Sequence, residues 1–569
     1  PSSAASDVYK RQVIEDNTYY VDKTGYIRKL DENNLKYVTM LRPRRFGKSL
    51  FLSTMHYYYG VEHTDKFEML FGDYEIGKNP TGKKNAYHIL RFDFSGIESQ
   101  EKELIIESFN TSILGSLVDF NNRYKILQRG RIDNLKSLKI PGDILNSFLK
   151  ELSGDVFTGK IMILIDEYDH FTNELFSFDI DHFKDIVSKN GWVRKFYEII
   201  KQHIGSGLVD RFFATGVTPI TLDAMTSGFN LVKNLSQDID FHSSMGFTES
   251  EVRGMIKGTI APTPEEIENL INEVKAWYNG SKFNTGEVEK LYNPQLICYF
   301  LTSLQNSGSY PNPMVDVTVV SDYSKIKKIL YLNKREFAGE VTESIMNTGF
   351  VESDFTIQFN FENPLLRGDV ISLLYYHGLL SLESENQGLN KFTIPNYVVK
   401  QLYWEYFRRS ISEENLLTFD ILKIHKAGIE MSEEGKIKLL SEYALEIMSK
   451  LSNRDLQNFR EIDIKLLYIS ILSMNPVYMI HSEYEIEGKY CDIVLTGNRM
   501  YSPKYQFLLE FKYVKKSEEK EKERVIEEGK KQLSEYLKSE KIRNLANLRV
   551  YLIIHFYPAG VEVIEVTFF

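Results

Sequence analysis

Residues 37–50 read YVTMLRPRRFGKSL. Tyr37 to Leu41 is a short apolar run that predicts a buried strand. A basic loop, Arg42 to Lys48, follows it, and Ser49 to Tyr59 is apolar and aromatic and predicts a helix ending at Gly60. Strand, loop and helix in that order place helix N-terminal amides and a lysine where they can hold the phosphates of a nucleotide. On this reading the binding set is Arg45, Phe46, Gly47, Lys48, Ser49 and Leu50. Gly47 lets the backbone approach, Lys48 reaches the β- and γ-phosphates, and Ser49 ligates Mg²⁺. Arg42 stands where the G-x-x-x-x-G-K-[ST] pattern has its first glycine. A bare Gly-Lys-Ser/Thr arises by chance about once in three chains of this size, so the loop needs a second half.

Working outward, strands are predicted at His88–Phe94, Lys160–Ile165 and Arg211–Thr215, with helices at Glu103–Phe120 and Val193–His203. That alternation predicts a parallel sheet covered on both faces. The run Ile161–Ile165 leads straight into Asp166 and Glu167. Carboxylates at the edge of a core are unfavourable unless they have a task. Asp166 suits the Mg²⁺ shell, and Glu167 suits orienting the attacking water. Thr215, at the end of a third strand, could sense the γ-phosphate. The loop arginines Arg42, Arg44 and Arg45 either add phosphate contacts or pair with carboxylates such as Asp22. No arginine is identifiable as a finger acting in trans, and Arg211 is a guess.

Tyr20-Val-Asp-Lys-Thr24, Arg42-Pro-Arg-Arg-Phe-Gly-Lys-Ser-Leu50, Ile165-Asp-Glu-Tyr-Asp169 and Thr215-Gly-Val217 resemble the AAA-ATPase-like domain of a largely uncharacterised bacterial family. Trp277-Tyr-Asn-Gly280 and Tyr292-Asn-Pro294 resemble that family's later signatures. The family's loop also lacks the first glycine. The resemblance covers most of residues 14–300 and implies ATP binding and hydrolysis.

After Gly246 the pattern turns helical. Thr248-Glu-Ser-Glu251 and Thr263-Pro-Glu-Glu266 fit capping boxes, the second with proline at the first helical position. Asp369–Leu382 followed by Lys391–Ile394 reads as helix, turn and short strands, compatible with a small winged helix. Further on, helix is predicted at Leu466–Met474 and Ser517–Lys538, and strand at Asp492–Leu495, Gln506–Lys512, Arg549–Phe556 and Val561–Val566. This is a second, smaller α/β domain. The dense charge run Lys515–Arg524 is read as a solvated helix face with i,i+4 pairs.

Within that domain Asp492 opens an apolar strand, and Glu510-Phe511-Lys512 closes another. Residues two apart on a strand share a face, so Glu510 and Lys512 point together and Phe511 points into the opposite core. Two carboxylates and a lysine suit Mg²⁺-assisted phosphodiester hydrolysis. By itself the D…E-x-K pattern is weak, because a surface strand with an i,i+2 ion pair produces it. Glu483 is a further potential ligand, and Gln532 and Tyr536 lie four apart on the following helix. The order resembles the PD-(D/E)xK nuclease domain that commonly ends chains of the same AAA-ATPase-like family. The resemblance implies Asp492, Glu510 and Lys512 as the catalytic core, supported by Glu483, Gln532 and Tyr536, and Gly488-Lys-Tyr490 resembles its glycine-bearing approach to the aspartate.

The chain of 569 residues carries 69 basic and 79 acidic side chains, a net charge of −10, so any nucleic-acid surface must be local. Its two cysteines, Cys298 and Cys491, exclude a disulfide scaffold or a Cys-rich zinc module and suit a reducing compartment. Cys491 is read as a small buried apolar residue. No apolar run is long enough to span a bilayer, no signal-peptide pattern opens the chain, and a cytoplasmic location is expected. His56, His170, His203, His242 and His481 lack ligand spacing and are read as structural or exposed.

The expected architecture is α/β, with a P-loop parallel-sheet ATPase domain at the N-terminal end, a helical middle that includes a winged helix, and a restriction-endonuclease-like α/β domain at the C-terminal end. Residues 1–12 are a scar or assembly artefact and 13–247 a P-loop ATPase domain. Residues 248–365 form a helical lid region, 366–410 a winged helix, 411–470 a helical connector and 471–569 the nuclease-like domain. ATP and Mg²⁺ are the expected cofactors and DNA the expected partner, with a homo-oligomer left open. The reading is an ATP-dependent protein whose nucleotide state controls a DNA-cleaving site. A competing reading, favoured by the acidic net charge, is an ATP-switched nucleic-acid-binding or regulatory protein that does not cut. A third is an interaction protein that binds nucleotide only to fold.

Overall fold

The computed structural model describes residues 19–98, 101–153, 157–178, 180–187, 191–221, 231–260, 263–315, 340–341, 344–345, 348–359, 365–415, 418–450, 460–515, 520–558 and 560–567. The Pro1–Gln12 stretch lies outside these residues, as do residues 516–519 at the start of the helix expected from Ser517. The chain divides into two compact units, Pro1–Phe337 with Glu352–Asn396, and Ala338–Val351 with Tyr397–Phe569.

The first unit is organised by a five-stranded sheet. Strands β1 (Tyr37–Leu41), β2 (His88–Asp93), β3 (Ile161–Asp166), β4 (Val209–Gly216) and β5 (Lys233–Asn234) lie in the order β2-β3-β4-β1-β5. All neighbouring pairs are parallel. Helices α1 (Lys48–Tyr59), α2 (Lys102–Tyr124), α3 (Pro141–Leu152) and α4 (Trp192–Gly205) belong to the connections. Every residue of β3 is buried, which is why its sequence is a continuous apolar run and not an alternating one. Val38, Met40, Leu52, Met55, Met162, Leu164 and Phe213 share one core cluster. Phe92 and Phe94 turn to Phe196 and Phe109, with ring centroids 5.7 and 4.7 Å apart. The consequence for function is positional. Strand β4 lies between β1 and β3, so the loop after β1, Thr215 and Asp166 all sit at the carboxyl ends of adjacent parallel strands, the edge where such sheets bind ligands.

The sheet is followed by α5 (Glu249–Ile260), α6 (Pro264–Tyr278), the short strands β6 (Asn279–Ser281) and β7 (Leu291–Tyr292), and α7 (Pro294–Ser307). Both expected capping boxes form: Thr248 and Glu251 exchange side-chain-to-backbone bonds, and so do Thr263 and Glu266. Strand β8 (Phe350–Ser353), helix α8 (Arg367–Tyr376) and strands β9 (Ser381–Asn386) and β10 (Leu389–Thr393) follow, with β9 and β10 antiparallel. The region expected to be mostly helical therefore also holds a three-stranded sheet, ordered β8-β10-β9.

The second unit contains α9 (Tyr397–Asn415), α10 (Ile421–Glu434), α11 (Lys438–Met448), α12 (Glu461–Leu472) and α13 (Lys522–Tyr536). Its sheet runs in sequence order: β11 (Tyr478–Ile486), β12 (Lys489–Gly497), β13 (Gln506–Val514), β14 (Leu548–Phe556) and β15 (Gly560–Glu565). Only β13 and β14 pair in parallel. Strand β11 is absent from the sequence reading. Glu487 and Gly488, with φ of 49° and 80°, turn it directly into β12, the geometry of a tight two-residue hairpin. Among the described residues, no helix is long and apolar enough to cross a membrane.

Candidate functional site

At the sheet edge of the first unit, Gly47 has φ of 92°, and nothing lies within 4 Å of where a β-carbon would stand. It caps α1, and no side chain closes that helix end. Backbone can therefore approach a ligand there without obstruction. Lys48 is buried and donates to the carbonyls of Arg42 and Pro43 at 3.1 and 3.2 Å, which curls the loop around its ammonium. Arg45 takes φ of 66° and is exposed. The Phe46 side chain packs edge-on against Phe283, with centroids 5.4 Å apart, so it anchors the loop from below. Ser49 and Leu50 are half-buried in the first turn of α1.

Arg42 makes neither of the contacts entertained for it. Its guanidinium is buried and donates to the carbonyls of Leu41, Ser236, Phe241 and His242 at 2.7 to 3.2 Å. It also stacks on Phe283 at 4.3 Å. Burial pulls its pKa down to about 10. It is a pin beneath the loop, which accounts for an arginine in place of a glycine. Asp22 is equally local: it accepts from the amide and hydroxyl of Thr24 at 2.9 and 2.7 Å and from the Glu75 amide at 2.8 Å. Arg211, the guess for a trans-acting arginine, is buried, paired with Asp31 at 2.6 Å and bonded to the Tyr59 and Tyr87 hydroxyls. A core ion pair of this kind is not available to a neighbouring molecule.

Asp166 accepts a 2.7 Å bond from the Thr215 hydroxyl, and the Arg91 guanidinium lies 3.8 Å away. Glu167 holds φ of 49°, an uncommon conformation for a residue with a side chain. Its carboxylate lies 3.3 Å from His170, whose Nδ1 is 3.2 Å from Arg44 of the loop. The next acid, Asp169, accepts from the Val217 and Thr218 amides at 3.0 and 2.6 Å. It thereby fixes the turn that follows Thr215.

In the second unit, Asp492 on β12 accepts from the Phe511 amide on β13 at 2.9 Å. This brings Asp492, Glu510 and Lys512 together across two antiparallel strands. Phe511 points the other way, onto Tyr468 of α12 with centroids 4.7 Å apart. Lys512 reaches Glu510 Oε1 at 3.2 Å. Glu510 is 2 % exposed, and its Oε2 is buried without a hydrogen-bond partner. Burial first, and the neighbouring Asp492 second, push its carboxyl up to about 8. Burial works against the Lys512 ammonium, but Glu510, Glu461 and Asp492 outweigh it and raise its pKa.

Glu461, at the start of α12, lies 3.6 Å from Lys512 and completes the cluster. Burial raises its carboxyl, Asp492 adds to the rise and Lys512 opposes it. The sequence does not single it out, because it lies upstream of residue 471, where the expected domain begins. The only signal was an acid opening an apolar helix. Glu483, with φ of 50°, is flanked by register pairs that set it opposite Asp492, but its carboxylate is held by Lys465. Gln532 donates to the Tyr536 hydroxyl at 2.6 Å, and Tyr536 donates to the Tyr490 carbonyl at 2.6 Å. The pair ties α13 to the strand that carries Asp492. A buried, bare carboxylate oxygen beside a second carboxylate fits a divalent cation, whose charge would relieve both.

A different cluster with metal-ligand chemistry, His56, Glu62 and His63, was not expected from the spacing of its histidines. The Arg123 guanidinium lies 3.2 Å from His56 and 3.5 Å from Glu62, so a cation is already present there.

Residues 8–226 match the family described as predicted AAA-ATPase, and residues 459–565 match the PD-(D/E)XK nuclease superfamily. The chain is 27% identical over 296 residues to an uncharacterized protein in the vnfD 5' region of Azotobacter chroococcum mcd 1. That match covers 49% of this chain and 47% of the other, so the chain spans about half the length of the curated relative. The α12 helix bearing Glu461 falls inside the nuclease match. With the parallel sheet and its acid-tipped strand in one unit and the Asp492–Glu510–Lys512 cluster in the other, the chain joins an AAA-ATPase-like domain to a domain of the PD-(D/E)XK nuclease superfamily.

Proposed function

We propose that the chain binds and hydrolyses ATP at the 42–49 loop and that nucleotide state controls a Mg²⁺-dependent nuclease acting on DNA at Asp492, Glu510 and Lys512. In the first unit the amides of Gly47 to Leu50 and the Lys48 ammonium would receive the phosphates. Ser49 and Asp166 would hold Mg²⁺, Thr215 would register the γ-phosphate through its bond to Asp166, and Glu167 would orient the water once released from His170. In the second unit Asp492 and Glu510 would hold the cation. A divalent ion there supplies Lewis acidity toward the phosphodiester. Lys512 keeps its proton and donates to the charge that develops on the phosphate, and Glu461 steadies it from the other side.

The observation that carries this reading is Glu510. A carboxylate that is 2 % exposed, with one oxygen unpartnered and a second acid beside it, is unfavourable for folding alone and useful for holding a cation. The test is incubation of purified protein with plasmid and with single-stranded DNA, with and without Mg²⁺ or Mn²⁺ and ATP, beside Asp492→Ala. Metal-dependent cleavage lost in the variant is expected, with a rate that changes when ATP is added. ATP turnover without cleavage in any lane would move the reading to an ATP-switched binding protein.

A further inference from the structure

Beside the nuclease cluster lies a group of lysines that the reading above leaves unused. The first turn of α9 is anchored to β11 where the Tyr397 hydroxyl oxygen accepts from the Ile480 amide at 2.8 Å. One turn on, Lys400 stands with its ammonium 5.5 Å from the Trp404 ring. Among the described residues Lys400 makes no ion pair. The carboxylate that acts on it is Glu483, and Glu483 is already engaged by Lys465. Two ammonium groups thus share one carboxylate in an enclosed place. Burial, then the Lys465 charge, pull the Lys400 amine down to about 8, and Glu483 only partly opposes them. His481 gives no relief: burial, then Lys400 and Lys541, push its imidazole down to about 4, so it stays neutral. Lys541, in the short helix Glu540–Arg543, reaches the same strand with its side chain, donating to the Glu485 carbonyl at 3.0 Å and lying 4.0 Å from the Tyr484 ring.

The positions have a direction. The register pairs on either side set Glu483 opposite Asp492 on the neighbouring strand, and Lys465 holds Glu483 there, so the lysine group adjoins the acids. An uncompensated, enclosed cation next to a phosphodiester-cutting centre calls for an anion that arrives with the substrate. We propose that Lys400, carried by α9 outside the segment that matches the nuclease superfamily, binds a backbone phosphate of the nucleic-acid strand next to the one cut at Asp492 and Glu510. Lys465 and Lys541 extend the same strip. This rests on the nuclease reading for its meaning, but binding can be measured without cleavage.

The experiment uses the full chain in Ca²⁺, with fluorescently labelled single-stranded and duplex oligonucleotides in a DNA arm and an RNA arm. Lys400→Met keeps the stem that packs near Trp404, and Lys400→Arg keeps the charge. Lys436→Gln, an exposed site paired with Glu434, is the control. Lys400→Met is expected to weaken binding roughly five-fold and to lower the slope of log affinity against log salt by about 0.7 to 0.9. Lys400→Arg should restore most of it. The melting temperature of Lys400→Arg shows whether that site tolerates change. Should Lys400→Met fail to fold, Lys541→Gln on the same strip must show the loss in affinity and slope. Unchanged affinity and slope in the folded Lys400→Met, or in Lys541→Gln where it is needed, overturns the inference, as does a parent that binds neither DNA nor RNA. A parent that binds but does not cut in Mg²⁺ or Mn²⁺ sinks the nuclease reading. A loss of affinity in the variants would still support the phosphate site.

Discussion

Glu510 should reveal itself through pH before any substrate is added. Its folded-state pKa lies above the value for an unfolded glutamate, because burial and Asp492 both disfavour the charge. A raised carboxyl binds its proton more tightly in the folded chain, so stability falls as pH rises from the unfolded pKa toward about 8 and then levels off. The penalty at pH 8 is roughly 4 kcal/mol. Glu510→Gln removes it. In metal-free buffer the variant should match the parent near pH 4.5 and melt several degrees higher at pH 8, read on the transition of the second unit. Ca²⁺ should raise the parent's melting temperature at pH 8 and leave the variant's unchanged. A difference between the two proteins that does not vary with pH would mean that Glu510 is not the strained group.

The strand–loop–helix of residues 37–59 separates two roles that its sequence blends. Arg42 and Lys48 both look like phosphate ligands when read in a line. In the fold Arg42 donates to four carbonyls beneath the loop, while Lys48 sits within it. Arg42→Ala would strand buried acceptors and should cost about 3 kcal/mol of stability in the first unit. Lys48→Met should cost much less and abolish nucleotide binding, measured by calorimetric titration with ATP. Equal stability in the two variants would return Arg42 to the phosphate site.

What a sequence discloses depends on how local each feature is. The strands and helices around the loop were readable because each is local: an apolar run, a capping box, an acid pair closing β3. Glu510 and Lys512 were readable because two residues apart on a strand share a face. Glu461, Lys400 and the pinning role of Arg42 were not. Each depends on elements far apart in the chain that meet only in the folded unit. Strand β11 was hidden for a different reason: its outer half is polar and half-buried, so only the Glu487–Gly488 turn announces it.

Control of one unit by the other makes a demand that neither site makes alone. The chain passes between the units three times, at Phe337/Ala338, Val351/Glu352 and Asn396/Tyr397, so neither unit is one continuous stretch of sequence. If ATP alters the affinity of the second unit for nucleic acid by some factor, nucleic acid must alter the affinity for ATP by the same factor, because the two binding steps form one thermodynamic cycle. The catalytic groups can be silenced without breaking that cycle. A chain carrying Glu167→Gln and Glu510→Gln should bind both ligands and turn over neither. In that chain, ATP affinity measured with and without a saturating oligonucleotide should change about five-fold or more, and oligonucleotide affinity with and without ATP should change by a matching factor. Lys48→Met should remove the ATP effect while leaving nucleic-acid binding in place. Two unequal factors would point to an uncontrolled third equilibrium such as self-association. Factors of one in both directions would leave an ATPase and a nuclease that share a chain without exchanging free energy, and the proposed control would fall while each site stood on its own.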